Sequence, residues 1–197
     1  MAKPSRKSRS DATTAANATP NLSRGWRRAY LGLGSNLGNR VANIRRALEK
    51  LSAAEVKIHR ISSLYETEPV DYLAQPWFVN CVAEVDTQLA PQQLLKACKA
   101  VERALGRRPS IPKGPREIDI DILFYENVVV RSATFRIPHA RLEERRFVLV
   151  PLCELAPELH HPVSGRTAAE MLAETQDKAE VLRMKQGASS EPKTRSR

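Results

Sequence analysis

Residues 114–124 read Gly-Pro-Arg-Glu-Ile-Asp-Ile-Asp-Ile-Leu-Phe. After the Gly-Pro turn, charged and apolar residues alternate one for one, and a period of two is the mark of a strand. A strand over 117–125 sends Ile118, Ile120, Ile122 and Phe124 to a core face and Glu117, Asp119 and Asp121 to the other. The two aspartates then lie side by side, their Cα atoms ~6.6–7 Å apart.

Working back from this strand, a basic, proline-rich loop spans 107–115. It follows a helix that opens on Pro91, turns Leu94, Leu95, Cys98, Val101 and Leu105 inward and closes at Gly106. Residues 77–86 alternate through Phe78, Asn80, Val82 and Glu84 as a third strand, after a loop over 66–76 with two prolines. Residues 56–65 form a second strand. Residues 39–51 form a helix with Val41, Ile44, Ala47, Leu48 and Leu51 at helical spacing, behind the turn residues Gly38 and Asn39. Residues 29–34 are a short apolar first strand. The resulting order β-α-β-β-α-β predicts an α+β, ferredoxin-like sandwich with two helices on one face of an antiparallel sheet. Beyond it, Glu126-Asn127 turns into 128–130, and helices are expected over 142–155 and 167–175 as C-terminal additions.

The chain has 197 residues, the length of one domain, and 42% of them are hydrophobic. That is enough for a core without disulfide or metal support. No run approaches the ~18 apolar residues of a membrane span. Cys81, Cys98 and Cys153 form no CxxC pair and sit in apolar stretches, which reads as buried free thiols in a reducing compartment.

A formal charge of +10 suggests a nucleic-acid binder until it is located. Seven basic residues against Asp11 fall in 1–28, and five against Glu191 in 183–197, which leaves 20 basic and 20 acidic groups between them. The body is neutral. The ends are poor in large apolar residues, so the expected division is a disordered basic tail over 1–27, a folded domain over 28–182 and a second disordered basic tail over 183–197. The first tail is Arg/Ser-rich and acid-poor like an organelle transit peptide but has no apolar helical face, and the expected location is cytoplasmic.

Two neighbouring carboxylates on a strand are also what a solvated acidic face looks like. Their surroundings argue for chemistry. Arg107, Arg108, Lys113 and Arg116 precede the pair, and His139, Arg141, Arg145 and Arg146 follow it. Acids that repel each other are stabilised by a shared hard cation, whose remaining coordination is completed by water and phosphate oxygens. Flanking cations suit a transfer from a metal–polyphosphate. The segment Gly32-Leu-Gly-Ser-Asn-Leu-Gly38 resembles a loose dinucleotide pattern, but no ribose-binding acid is clearly placed and Gly-Lys-Ser/Thr is missing. It reads as a tight turn that lets a backbone or a flat ligand come close. A ferredoxin-like RNA-binding module and a nicotinamide or flavin fold are the competing classes; paired aspartates inside the positive surface count against the first.

From about residue 29 to 162 the chain resembles the 6-hydroxymethyl-7,8-dihydropterin pyrophosphokinases of folate biosynthesis. The resemblance rests on Leu-Gly-Ser-Asn-Leu-Gly (33–38), Ser-Ser-Leu-Tyr-Glu-Thr-Glu-Pro-Val (62–70), Gln-Pro-Trp-Phe-Val-Asn (75–80), the 114–123 segment, Ile-Pro-His (137–139) and Arg-Arg-Phe-Val-Leu-Val-Pro-Leu (145–152). It implies transfer of pyrophosphate from ATP to a pterin hydroxymethyl group with release of AMP, and a ferredoxin-like fold. It implies that Asp119 and Asp121 are ligands of two Mg2+ ions and, with Arg107 and Arg116, catalytic. Asn80 and backbone groups around Thr67, Glu68 and Val70 are implied to read the pterin edge, with Phe78 and Phe147 stacking on its faces. Lys99, Glu102, Arg116, Ile122, His139 and Arg145 are implied nucleotide contacts. The partners expected are therefore ATP and a reduced pterin, with no membrane or nucleic acid, and the chain a monomer. Two departures bear on nucleotide affinity: the 107–113 loop is one residue short with Lys113 at an aromatic position, and Ala140 stands where an aromatic often follows the histidine.

Overall fold

The computed structural model describes residues 25–107, 113–132 and 135–185. Its elements run β1 (Arg27–Ser35), α1 (Arg40–Ser52), β2 (Val56–Ile61), β3 (Tyr65–Thr67), β4 (Phe78–Thr87), α2 (Pro91–Ala104), β5 (Asp119–Tyr125), β6 (Val130–Arg131), β7 (Arg136–Ile137), a 3-10 turn (Leu142–Glu144), α3 (Arg146–Leu155), α4 (Ala168–Glu174) and β8 (Val181–Arg183). The class is α+β. The main sheet is antiparallel in the order β5-β1-β4-β3-β8, with β2 also paired to β4. β6 and β7 form a separate hairpin.

Local chemistry sets the helix ends. Asn39 caps α1 by accepting the Ala42 N–H at 3.0 Å, just after Gly38 at φ +59°. Pro91 opens α2, and Gly106 at φ +97° follows its end, a left-handed conformation that glycine adopts without a Cβ clash. Thr167 and Glu170 close a reciprocal capping box on α4.

The core lies on both faces of the sheet. Leu31, Leu33, Cys81, Ala83, Ile120 and Ile122 meet α1 and α2 through Ile44, Leu51, Leu94 and Cys98. On the opposite face Tyr30, Val82, Leu123 and Phe124 meet Leu149 and Leu152 of α3 and Met171 of α4. Each such Leu, Ile or Phe contributes ~1.5–3 kcal/mol by burial. α3 and α4 cover only part of that second face, and the uncovered part becomes the cleft described below.

Four expectations change. Phe124 was expected beside Ile122 but lies on the opposite face, because the β1–β5 register slips between Tyr30 and Leu31. The bulge puts Leu123 and Phe124 on the same side. The strand expected over 56–65 is two, β2 and β3, separated where Ser62 leaves the ladder; its hydroxyl accepts the Val82 N–H at 3.0 Å. The helix expected over 142–155 is a 3-10 turn and α3, split by extended Arg145 (φ −119°, ψ 100°). β8 was not anticipated, and it carries the sheet to Arg183, past the expected domain end at 182. At the other end β1 starts at Arg27, and Arg28 is ion-paired with Glu84 and Asp86. Most of both expected tails lies outside the described residues, as does the 108–112 part of the basic loop.

Candidate active site

An open cleft of about 700 Å³ sits over the uncovered part of the sheet. Its floor is β1, β4 and β5 (Gly32, Gly34, Asn80, Asp119, Asp121), and its walls come from the segment after β3 and from the start of α3. Alternation along β5 turns Asp119 and Asp121 toward this side and Ile118, Ile120 and Ile122 into the core.

The two aspartates are in opposite electrostatic states. Asp119 receives Arg107, and Arg116 and Lys99 stand 3.2 and 3.9 Å away. Burial would raise its carboxyl, but Arg116, Arg107 and Lys99 outweigh burial and hold it below the usual range. Asp121 makes no hydrogen bond or ion pair with any described residue, and burial followed by the Asp119 charge pushes it up to about 6. A bound divalent cation would relieve both effects, so the pair suits a hard metal ion. Arg116 and Arg145 also line the cleft, and the Nε of each is buried with no hydrogen-bond partner among the described residues. The Arg116 Nε is near Asp119 but lacks hydrogen-bond geometry. Unsatisfied buried guanidinium donors await an anion.

The expected ring-binding residues gather at the other end of the same cleft. Thr67, Glu68, Val70, Phe78, Asn80 and Phe147 all line it. Arg116 lies over the Phe78 ring at 5.2 Å and Arg145 over Phe147 at 5.6 Å, so each aromatic carries a guanidinium. Asn80 donates to Thr67 Oγ1 at 2.7 Å, which orients its amide. Gly34 faces that amide, and a Cβ there would fall inside contact distance of Asn80 Oδ1. The Glu68 N–H is committed to Glu180 O at 3.1 Å.

The expected nucleotide residues divide. Arg116 and Arg145 reach the cleft; Lys99, Glu102, Arg107, Ile122 and His139 do not line it. Glu102 is buried beneath Asp119, where its Oε1 accepts Lys99 Nζ and the Ile120 N–H, each at 2.8 Å, and pairs with Arg107 at 2.7 Å. Here it ties α2 to β5. Ile122 is core and can offer only its backbone. His139 docks the loop after β7 through its N–H to Leu123 O at 3.1 Å. Burial, then the neighbouring Arg145, lowers its imidazole to about 4.

Sequence reasoning passed over several residues that shape the cleft. Asn36 is buried; it donates to Gln75 Oε1 at 3.0 Å and Pro76 O at 3.1 Å and accepts the Arg116 N–H at 2.8 Å. It thereby ties the glycine turn to two loops. Its signal was present, since it stands inside the quoted 33–38 motif. Buried Arg40 donates to Trp77 O at 3.0 Å and pairs with Glu66 at 3.0 Å. Asp71 lies 2.7, 3.0 and 3.5 Å from Arg141, Lys113 and Arg145, and no local pattern marked it.

An antiparallel α+β scaffold with two carboxylates and two arginines lining one cleft suits an enzyme that handles a phosphorylated ligand. The family model described as 7,8-dihydro-6-hydroxymethylpterin-pyrophosphokinase matches residues 30–157, and the chain belongs to this family. The family transfers pyrophosphate from ATP to hydroxymethyldihydropterin in folate synthesis. Over 145 residues the chain is 42% identical to the 2-amino-4-hydroxy-6-hydroxymethyldihydropteridine pyrophosphokinase of Aquifex aeolicus, covering 74% of this chain and 90% of that protein. It is 45% identical over 145 residues to the folic acid synthesis protein fol1 of Schizosaccharomyces pombe, covering 73% of this chain but 20% of that protein. The chain thus spans about a fifth of the fungal relatives it matches. Among solved structures, one described as HPPK-DHPS in complex with substrates is similar in fold with a TM-score of 0.61 at 15% identity, covering 75% of this chain and 43% of that one.

Proposed function

We propose that this chain itself catalyses its family's reaction, with the hydroxymethyl oxygen of 6-hydroxymethyl-7,8-dihydropterin attacking the β-phosphorus of ATP. The new O–P bond forms as the bond between the β-phosphorus and the oxygen bridging it to the α-phosphorus breaks; the pyrophosphoryl group passes to the pterin, the hydroxyl proton passes to solvent water, and AMP departs carrying the former bridging oxygen. The observation that carries this reading is Asp121: a carboxyl with no partner among the described residues, beside a second carboxyl, on the floor of a cleft lined by Arg116 and Arg145.

Asp119 and Asp121 would hold Mg2+, taken as two ions, which when bound neutralise phosphate charge and screen the oxygens in line for displacement. Arg116 and Arg145 release their stacking on Phe78 and Phe147 and turn to the phosphates, which frees both rings to stack on the pterin. Asn80, held by Thr67, reads the ring edge with backbone groups around Thr67, Glu68 and Val70. Arg107 balances the charge of Asp119. Lys99, Glu102, Ile122 and His139 act from outside the cleft lining, by placing Asp119, β5 and the 137–141 loop against the nucleotide. No side chain is needed as general base, because positioning and charge stabilisation carry most of such a transfer.

The framework is proposed as ferredoxin-like, β-α-β-β-α-β with C-terminal helical additions; the supporting observation is the strand order β5-β1-β4 with β2 and β3 both on β4. The chain is proposed to act as a monomer in the cytoplasm, in keeping with three free thiols. Among the described residues no helix is long and apolar enough to cross a membrane.

The test is conversion of ATP to AMP by the purified chain, with and without the reduced pterin alcohol and with and without Mg2+. AMP should form only when all are present. Asp119→Ala and Asp121→Ala should each lower kcat by about 10³-fold or more, with circular dichroism unchanged. Parent-like turnover by either variant would remove the assignment.

A further inference from the structure

Thr175 to Met184 lies beyond the segment the family model matches, yet it touches both walls of the cleft. Toward one wall, Asp177 Oδ2 accepts the Arg146 N–H at 2.9 Å, at the first turn of α3 between Arg145 and Phe147. That carboxylate is not loose: its Oδ1 accepts the Ala179 N–H at 2.9 Å, and the Asp177 N–H donates to Thr175 Oγ1 at 3.3 Å. Toward the other wall, Glu180 O accepts the Glu68 N–H at 3.1 Å, and the Glu180 N–H donates to Glu68 Oε2 at 3.0 Å. β8 then pairs Val181 with Thr67 and Arg183 with Tyr65, and the Met184 N–H reaches Leu64 O at 2.9 Å.

We infer that residues 175–184 are a strap that sets the distance between the Phe147 wall and the Thr67–Glu68 wall, with Asp177 its positioning residue for the reduced-pterin ring. The physical reason is economy of restraint. α3 starts after an extended Arg145 whose own side chain does not cap the helix; the Val148 and Leu149 N–H groups reach Arg145 O, but the Arg146 N–H at the helix start has no acceptor within α3. Asp177 supplies one from a segment anchored to the opposite wall, and an anion at a helix N-terminus is favoured further by the helix dipole. A ring held between two walls is sensitive to their separation on the sub-ångström scale, since stacking and edge hydrogen bonds weaken together. Of the groups proposed to meet the nucleotide phosphates, the strap touches neither β5 nor Arg116 and reaches only the backbone N–H one residue after Arg145, so nucleotide binding should respond less than pterin binding.

This inference rests on the pterin reading of the cleft, and the experiment separates the two. The Kd of the reduced pterin and of a nonhydrolysable Mg-nucleotide would be measured by calorimetry for the parent, Asp177→Ala and Asp177→Asn. As a control for lost stability alone, Ile44→Val thins the core under α1 on the opposite face. Asp177→Ala should raise the pterin Kd about tenfold and the nucleotide Kd less than about threefold. Asp177→Asn, which keeps one acceptor oxygen, should fall between it and the parent, and Ile44→Val should leave both constants near parent values. Should Asp177→Ala fail to fold, the intermediate rise in Asp177→Asn carries the test. A pterin Kd unchanged in the Asp177 variants, or raised as much by Ile44→Val, overturns the strap while leaving the pterin reading intact. A parent that binds no reduced pterin overturns both.

Discussion

Asp119 and Asp121 are the same side chain two residues apart, and the fold gives them opposite tasks. Three cations crowd Asp119 and, among the described residues, none pairs with Asp121, so one holds the basic cluster together while the other suits a cation. Gly34 works at the same scale. With no Cβ it leaves room for the Asn80 amide, so Gly34→Ala should displace that amide and weaken pterin binding by about tenfold, with nucleotide binding unchanged; titration calorimetry with each ligand reads the difference. His139 supplies a pH prediction. Its imidazole protonates near 6.5 in the unfolded chain and at about 4 when folded, so between those values the unfolded state binds more protons. Its contribution to stability is full above pH 6.5 and is lost as pH falls toward 4. His139→Gln should flatten that part of the profile, as urea denaturation of parent and variant at pH 7 and pH 4.5 would show.

Among the elements, the α2–β5 junction depends on one buried carboxylate. Glu102 gives the Ile120 N–H its acceptor and balances Lys99 and Arg107. Glu102→Ala strands an N–H and two cations, at a cost of about 2–4 kcal/mol. Glu102→Gln retains an acceptor and should lose roughly half of that in chemical denaturation. The β5 bulge has its own consequence: by turning Leu123 and Phe124 to one side it fills the α3 face, so the cleft ends where the strand stops alternating. Alternation in 117–125 predicted the aspartate face correctly and failed only past the bulge, because a bulge is set by the partner strand rather than by the residues that form it.

For the whole molecule, the excess charge is concentrated at the two ends while 29–182 is neutral. Arg28 nonetheless belongs to the body through Glu84 and Asp86, and Arg183 through Ser63 at 2.8 Å. We therefore propose domain limits near 25 and 185 instead of 28 and 182. A chain trimmed to 25–185 should keep kcat/KM within about twofold and lose the salt-sensitive binding to heparin expected of basic ends; a loss of turnover on trimming would place an end in the reaction.

The α+β class, the two early helices and the common face of the aspartate pair were legible in the chain, because each rests on spacing within a few residues; the residues implied to hold the ring came from contiguous motifs, and they line one cleft. Asp71, Asp177, β8 and the split of the second strand were not legible, since they depend on partners 20 to 120 residues away in sequence. The same limit separates the two aspartates. Sequence places them on one face, but only the folded protein decides that Arg107 and Arg116 reach one of them while no described cation pairs with the other, because electrostatic environment is a property of distances that the chain acquires on folding.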